Sequence, residues 1–508
     1  MRSQPPQTPP PAGSPLNPSA TPFMPSPAPS PPPPRAPTEE QESEWPVLQE
    51  DEVKSALFAA RPFAAAGPDG VPNRLLPLLW PALAPRLVPL IRACLSLGHL
   101  PSSWRDATCV VLKKPKKPDY SNPKAYRLIA FERCVAKLVE SVVARRLAYW
   151  AESHLPKEHF GGRKGRSAEE AAACAEDVIR RQWRAGRFVI AAALDAAKAF
   201  PLVRVKRLVA DMRERGLPEA ACRFVEAFMS SRSCCLWFEG VLSGEIDWKS
   251  GLPQGSPLSP ILFLLYNAGL LEAARSDESC GFGWVDDVNL LAWRETVEEA
   301  VSVMLRIVPG LEEWSRTHQT AFEPTKTTVT LFAPPGKKRP RTPPPVFLNG
   351  VPLEYSPSLT LLGVELDAEL RFKPHIASCA AKAAKALTGV ALLARARAGL
   401  SPRWVRRLVE AVVMSRLVWA SAVWYDPKKQ VSRVFTAVQR AAARLITGGY
   451  RTSSLAALEV ESNLPPLDLV LRRHLHRFAL RLHSSAPSHP CRAPYILART
   501  SRSTLFPA

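Results

Sequence analysis

The chain has 508 residues, 46% of them hydrophobic, enough for roughly two to four domains with real cores and too apolar for a disordered chain. Its 67 lysines and arginines against 46 aspartates and glutamates leave a formal net charge of +21, which favours polyanionic partners, nucleic acid first. No run of about 18 apolar residues offers a membrane span, and ten cysteines without C-x-x-C spacing argue against a zinc site or a disulfide scaffold and for a reducing compartment.

Sixteen of the first 37 residues are proline, so residues 1–44 read as a disordered tail that buries almost nothing. The tail has neither the apolar core of a secretory signal nor the arginine content of a transit peptide. Order is expected from Trp45, where EWPVLQEDEVKSALFAA sets apolar residues at helical spacing behind an acidic start. Gly-Pro-Asp-Gly at 67–70 then marks a turn. Helical patterns over 75–98 and 132–150 flank a strand-like ATCVVLKKPKK, whose far end, with Lys113, Lys114, Lys116 and Lys117, forms a basic finger. Between 188 and 293 short strands (RFVIAAALD, SCCLWFEG, GFGWV, VNLLAW) alternate with helices, an α+β pattern around an antiparallel sheet. The basic, proline-rich APPGKKRPRTPPP (333–345) reads as a solvated loop rather than a nuclear-localisation signal. Past Leu370 the chain is rich in Ala, Arg and Leu at helical spacing, which predicts a helical region with its arginines outward. The expected organisation is a tail (1–44), an α+β region (45–370) and a helical region (371–508).

Chemistry enters with GFGWVDDVNLLAW, where Asp286 and Asp287 interrupt an apolar run in which an unpaired buried charge would cost several kcal/mol. Taken alone the pair is an exposed hairpin turn, a position aspartate favours. Asp195, ending the apolar FVIAAALD, changes that reading. Carboxylates at the ends of neighbouring strands make a hard-oxygen site for Mg²⁺, which would neutralise them. Two such ions, roughly 3.5 to 4 Å apart, clamp the attacking and leaving oxygens of a phosphoryl displacement. SGLPQGSPLSPILFLLYNAGLL (250–271) runs a Gly-Pro-Ser loop straight into an apolar helix, exposing backbone N–H groups where a ligand can approach closely. Gln254, flanked by two prolines and two glycines, is hard to explain as an ordinary loop residue.

With these residues in view the chain resembles the reverse transcriptase domain of non-LTR, LINE-like retrotransposons, especially the fungal kind, over about residues 45 to 490. WVDD is similar to the family's aromatic/small-x-Asp-Asp signature, LDAAKAF to its first catalytic strand, and GLPQGSPLSPILFLLYN to its template-and-nucleotide loop. GPDGVP, KAYRLIAFERCVAKLVESVVARRL, HFGGRKGRSAEEA, FEPTKT, LTLLGVELDAELRFKPHI and LITGGYRTSSLAALEVESNLPPL follow in the family's order. The resemblance implies a right-hand polymerase of fingers, palm and thumb, with an antiparallel palm sheet and a helical C-terminal region. It implies Asp195 and Asp286 as the principal ligands of two Mg²⁺ ions (or Mn²⁺), with Asp287 beside them. The backbone from Ala196 to Ala199 would hold the triphosphate, and Phe200 would sit under the sugar as a gate against the 2′-hydroxyl. Gln254 and Gly255 would line the nucleotide and template side, and Lys326 would protonate the leaving pyrophosphate. Arg127 would meet triphosphate, Arg163 and Arg166 template backbone, and Arg395, Arg397, Arg403, Arg406 and Arg407 the template-primer duplex. The implied partners are an RNA template, a DNA primer and deoxynucleoside triphosphates, with no membrane; nucleus is the expected compartment, ahead of mitochondrion and cytoplasm.

Three departures stand out. AFP replaces the usual AFD, putting Pro201 where the family has a second acid; Leu128 stands where proline is usual; and AAAGPDG lacks the usual lysine. No endonuclease, RNase H or zinc knuckle is legible, which raises the expectation of a fragment or a decayed copy. Two other readings follow: a catalytically silent nucleic-acid-binding remnant, motivated by Pro201 and by the missing partner domains, and a maturase-like RNA-binding protein.

Overall fold

The computed structural model describes residues 45–115, 117–195, 199–394 and 399–492, so the expected proline-rich tail, Lys116, Ala196, Arg395, Arg397 and residues 493–508 lie outside the described residues. Helix α1 (Glu50–Ala59) opens on three acids that suit the positive end of its dipole, and Glu52 reaches back to accept the Gln49 N–H at 3.0 Å. Helices α2 (Leu75–Leu78) and α3 (Trp80–Leu97) cover the next apolar pattern. Pro85 and Pro89 lie inside α3 on its exposed face, where a missing donor costs least. Strand β1 (Asp106–Lys113) and helix α4 (Cys134–His154) follow as the pattern predicts, with strand β2 (Tyr126–Glu132), which the pattern does not mark, between them. Helix α5 (Ala168–Arg184), capped by the Ser167 hydroxyl, leads into β3 (Phe188–Asp195). Then come α6 (Ala199–Leu202), α7 (Val205–Glu214), α8 (Glu219–Met229), β4 (Arg232–Phe238), β5 (Val241–Trp248), α9 (Ser259–Ala273), β6 (Ser279–Trp284), β7 (Asp287–Arg294), α10 (Val297–His318) and β8 (Thr328–Phe332). Short strands β9 (Phe347–Leu348), β10 (Val351–Pro352), β11 (Glu354–Tyr355), β12 (Ser358–Leu361) and β13 (Val364–Asp367) close the α+β part.

Two main sheets result. The smaller has the order β2-β1-β4-β5, so the SCCLWFEG strand lies with the basic finger rather than beside the aspartates. The larger has the order β11-β8-β3-β7-β6, with β3 central and antiparallel to both β7 and β8. The period of two along β3 explains why its sequence is apolar throughout. Phe188, Ile190, Ala192 and Leu194 join a core with α10, while Val189 and Ala191 join a second core with α5 and Phe332. A strand buried on both faces leaves polar chemistry only at its end, and that end is Asp195.

The C-terminal region is helical as expected: α11 (Lys373–Leu393), α12 (Pro402–Leu408), a π-helical turn (Val409–Met414), α13 (Ser415–Leu417), α14 (Ser421–Trp424), α15 (Arg433–Thr447), α16 (Leu455–Ser462) and α17 (Leu467–Ser484). By length and composition α11 alone among the described helices could cross a membrane. It buries Cys379, Ala383, Leu387 and Val390 in the C-terminal core and carries Lys382 and Lys385. That core runs without a break from Ala171 in α5 to Leu482 in α17, so residue 370 separates two textures of structure and not two cores. The α5–α17 junction adds Arg481 on Glu170 at 2.8 Å and a Cys174–Cys491 disulfide, a pairing 317 residues apart that spacing alone does not reveal; the other eight cysteines are free. In the 333–345 loop, Lys337 donates to the Gly186 carbonyl at 2.7 Å and Arg339 to that of Ala368, so two of its cations are docked on protein.

Candidate active site

The two aspartates sit at the turn of the β6–β7 hairpin, both exposed, with Asp287 the first residue of β7. The turn before them is unusual. Val285 has φ +55°, left-handed backbone that a β-branched residue rarely adopts and that surrounding structure must hold in place. Three contacts hold it. The Asn267 side-chain amide, buried in α9, donates to the Val285 carbonyl at 2.9 Å. The Phe160 N–H donates to the Gly283 carbonyl at 2.8 Å and the Gly283 N–H to that of Glu158 at 3.1 Å, stitching residues 158–160 along β6. Gly161 then presses against the turn so closely that a Cβ would stand 2.5 Å from the Val285 nitrogen. The HFGG motif is therefore the floor of the hairpin. His159 in it is fully buried, and desolvation, aided by Arg163, pushes its pKa down to about 3, so it is a neutral filler.

Strand register supplies the rest of the acid set. Asp195, the last residue of β3, pairs directly with Asp287, so the backbone brings the ends of FVIAAALD and WVDD side by side. On the other flank β8 pairs with β3 as far as Thr328 against Ala193, and Lys326 stands in the turn just before β8, its N–H donating to the Glu323 carbonyl at 3.0 Å. Lys326 is exposed and bonds Glu323, whose carboxyl is held below the usual range first by that contact and further by Lys124 and Lys117 of the basic finger. The finger therefore faces this same corner. Of its other lysines, Lys113 pairs with Glu239 at 3.0 Å and Lys114 donates to the Lys124 carbonyl at 2.9 Å.

The SGLPQGSP loop closes the third side. Half-buried Phe200 stacks on Phe263 of α9 with ring centroids 4.9 Å apart, and its carbonyl accepts the Leu252 N–H at 2.9 Å. The backbone of Pro201 lies directly against Gly251, where a Cβ would come within 2.5 Å of the residue-201 carbonyl, a contact that requires glycine at 251 whatever side chain stands at 201. Gln254, half-buried, accepts the Ala130 N–H on its carbonyl at 2.7 Å, tying the loop to β2. Gly255 has φ +136° and leaves 2.3 Å between a notional Cβ and the Ala130 carbonyl, so only glycine fits. Arg127, three residues before Ala130 on β2, is exposed.

Other expected contacts fall elsewhere. Arg163 and Arg166 do not reach outward as template ligands. Arg163 is buried, with its guanidinium spent on Glu152 and the carbonyls of Pro156 and His159, and Arg166 bonds Glu152 and the Lys157 carbonyl with its side chain 4% exposed. Both brace the floor of the hairpin instead, because folding surrounds them with carbonyl acceptors. Arg403 and Arg407 are exposed on α12, with Arg407 over the Trp404 ring at 4.8 Å, while Arg406 is partly buried. Asn267, Gly161, Ser256 and Glu140 were not singled out by motif; the visible signal for Asn267 is one amide inside the apolar ILFLLYNAGLL.

The donor set suits a hard divalent cation, since aspartate carboxylates are the ligands Mg²⁺ prefers. Among the described side chains no three acidic, histidine or cysteine groups form a ready cage; the Asp195 side chain is outside that set, and strand register carries the argument for it.

A family model described as reverse transcriptase (RNA-dependent DNA polymerase) matches residues 113–366, which include every element of the site from the basic finger to Lys326. The chain is 27% identical over 457 residues, 88% of its length, to a 115 kDa protein in type-1 retrotransposable element R1DM of Drosophila melanogaster. It is 25% identical over 439 residues, 83% of its length, to a probable RNA-directed DNA polymerase from transposon X-element of the same fly. It is 22% identical over 447 residues, 87% of its length, to the RNA-directed DNA polymerase from mobile element jockey of Drosophila funebris. The chain spans 43 to 48% of the length of these three relatives.

Proposed function

This chain belongs to the reverse transcriptase (RNA-dependent DNA polymerase) family, and from that premise we propose that it is the RNA-directed DNA polymerase of a non-LTR retrotransposon, extending a DNA primer on an RNA template. The observation that carries this reading is the pairing of Asp195 with Asp287 at the ends of two neighbouring interior strands, beside a strained turn that presents Asp286. We read the larger sheet as palm, the smaller sheet with α1–α4 as fingers, and the helices from α11 onward as thumb and connection. Asp195, Asp286 and Asp287 would hold two Mg²⁺ ions, with Mn²⁺ an acceptable substitute of the same hard-oxygen chemistry. Bound there, the ions supply positive charge to the α-phosphate and to the attacking and leaving oxygens.

The protein's own share is positioning. Asp195 and the hairpin aspartates fix where charge accumulates at the primer end. Phe200, held by Phe263, walls the sugar side of the nucleotide, and the turn at Gln254 and Gly255 lies beside the base and template. The backbone at Ala196 and Ala199, together with exposed Arg127, would receive the triphosphate. Lys326, in the turn just before β8, would give a proton to the departing pyrophosphate. Arg403, Arg406 and Arg407 of α12 would follow the duplex backbone, and such binding weakens steeply with salt. The silent-remnant reading differs in what it predicts: salt-sensitive nucleic-acid binding that Asp286→Ala leaves unchanged, and no synthesis.

Primer extension on an RNA template, with Mg²⁺ and with Asp286→Ala as control, tests the proposal. Templated extension by the wild type and none by the variant is the expected result; equal products from both would end this reading.

A further inference from the structure

Beneath the Gln254–Gly255 turn lies a set of charges that the mechanism above does not use. Glu132 at the end of β2, Glu140 in α4 and Arg232 at the start of β4 are 0, 0 and 2% exposed, and Ser256 is 4% exposed. The Arg232 guanidinium bonds Glu132 Oε1 and donates to the Phe228 carbonyl at 3.1 Å. The Ser256 hydroxyl donates to Glu140 Oε2 at 2.6 Å and accepts the Leu258 N–H at 3.0 Å, at the entry to α9. One oxygen of each carboxyl, Glu132 Oε2 and Glu140 Oε1, is left buried with no donor, and the two carboxyls are hydrogen-bonding neighbours.

Two carboxylates that both carry charge repel strongly in a site without water. A single proton between them satisfies both orphaned oxygens and leaves one negative charge for the one paired guanidinium. The other groups facing the cluster fit this count. Lys137 of α4 favours the charged form of Glu132; Arg105 faces Arg232; and Cys109 of β1 and Cys234 of β4 bond each other as thiols. Burial raises both carboxyls, so the proton belongs to the pair. Chain connectivity gives the network its reach. It starts on β4, crosses β2 and α4, and ends on Ser256, one residue from Gly255, whose neighbour Gln254 is bonded to Ala130 of β2.

We propose that Glu132 and Glu140 share one proton, and that this buried acid pair, acting through Ser256, is the positioning device that seats the Gln254–Gly255 turn against β2 for the incoming nucleotide. The nucleotide half rests on the polymerase reading; the shared proton does not. A carboxyl protonated in the fold and ionised in the unfolded chain costs stability as pH rises above the ordinary carboxyl range. Glutamine at 140 keeps a neutral donor facing Glu132 and an acceptor facing Ser256. Melting of the full chain from about pH 5 to 9 is therefore expected to show Glu140→Gln gaining on the wild type as pH rises. A constant difference, or a lower melting point for Glu140→Gln throughout, would overturn the shared proton.

Hydrogen exchange at the Ala130 amide, which bonds Gln254, reads the seating of the turn directly. Ser256→Ala and Glu140→Leu are expected to speed that exchange and to raise the KM for the nucleotide roughly tenfold at unchanged KM for template-primer. Glu140→Gln restores what Glu140→Leu loses. Unchanged exchange, or faster exchange with an unchanged nucleotide KM, would overturn the positioning role; if Glu140→Leu fails to fold, Ser256→Ala decides it. A wild type that extends no primer sinks the polymerase reading, and with it the nucleotide half, while melting and exchange still decide the acid pair and its hold on the turn.

Discussion

Replacing Asn267 with leucine, which keeps its branched heavy-atom shape, takes away the amide that meets the Val285 carbonyl at 2.9 Å. Leaving that half-buried carbonyl without its partner costs about 1 to 3 kcal/mol. Val285 at φ +55° stores strain of about the same size, ~1 to 3 kcal/mol, which persists only while its surroundings insist on it. Losing the contact therefore tips the turn towards ordinary backbone, and Asp286, the next residue, moves with it. A displacement of about 1 Å at a reacting group lowers the chemical step by roughly 10²-fold. Single-turnover nucleotide addition on a preformed RNA–primer duplex should show that loss in kcat with little change in nucleotide KM. Adding Val285→Gly in the same chain should recover part of it, because glycine occupies positive φ without strain. Full activity in Asn267→Leu, or a loss that glycine at 285 leaves untouched while the melting point stays at the wild-type value, would refute the argument.

Gly161→Ala should be more damaging than its size suggests, since the added carbon stands 2.5 Å from backbone and not from a movable side chain; activity is expected to vanish before secondary structure does by circular dichroism. Gly255→Ala should raise the nucleotide KM by forcing the turn off Ala130, and saturating nucleotide should recover much of the rate. Glu169 is raised to about 7 by burial at the α5–α17 junction, so the native state holds a proton that the unfolded chain releases above about 4.5. The sign follows: its stabilising share is whole below pH 4.5 and is lost as pH rises through about 7, a change of about 3 kcal/mol, and Glu169→Gln should flatten that part of a melting-versus-pH curve. Arg403→Ala and Arg407→Ala should each weaken template-primer binding and lower the slope of log affinity against log salt by about one; an unchanged slope would remove α12 from the nucleic-acid interface.

Local patterns carried much of this fold and site, and contacts between distant residues the remainder. The apolar runs FVIAAALD and VNLLAW and the turn signals around them locate the strands, and Asp195 and Asp286 are legible only together, because two acids at the ends of neighbouring strands call for a cation to offset them. That Asp195 meets Asp287 in register is a property of the sheet. Arg163 shows the opposite case. An arginine in a glycine-rich motif reads as a phosphate ligand, and only folding reveals that Glu152 and two carbonyls enclose it. Glu132 and Arg232 are 100 residues apart, and Cys174 and Cys491 are 317 apart; no local spacing encodes either meeting. Pro201 is a departure visible in the sequence, whereas the close backbone approach that requires glycine at 251 comes from the fold.

The most direct test of the account is single-nucleotide incorporation under single-turnover conditions, on an RNA template that offers each base in turn, comparing wild type with Asp286→Asn and Asp195→Asn. The account predicts that the wild type adds only the templated deoxynucleotide in the presence of Mg²⁺, and that both variants lose incorporation while still binding template-primer. Incorporation by either variant at the wild-type rate would contradict it.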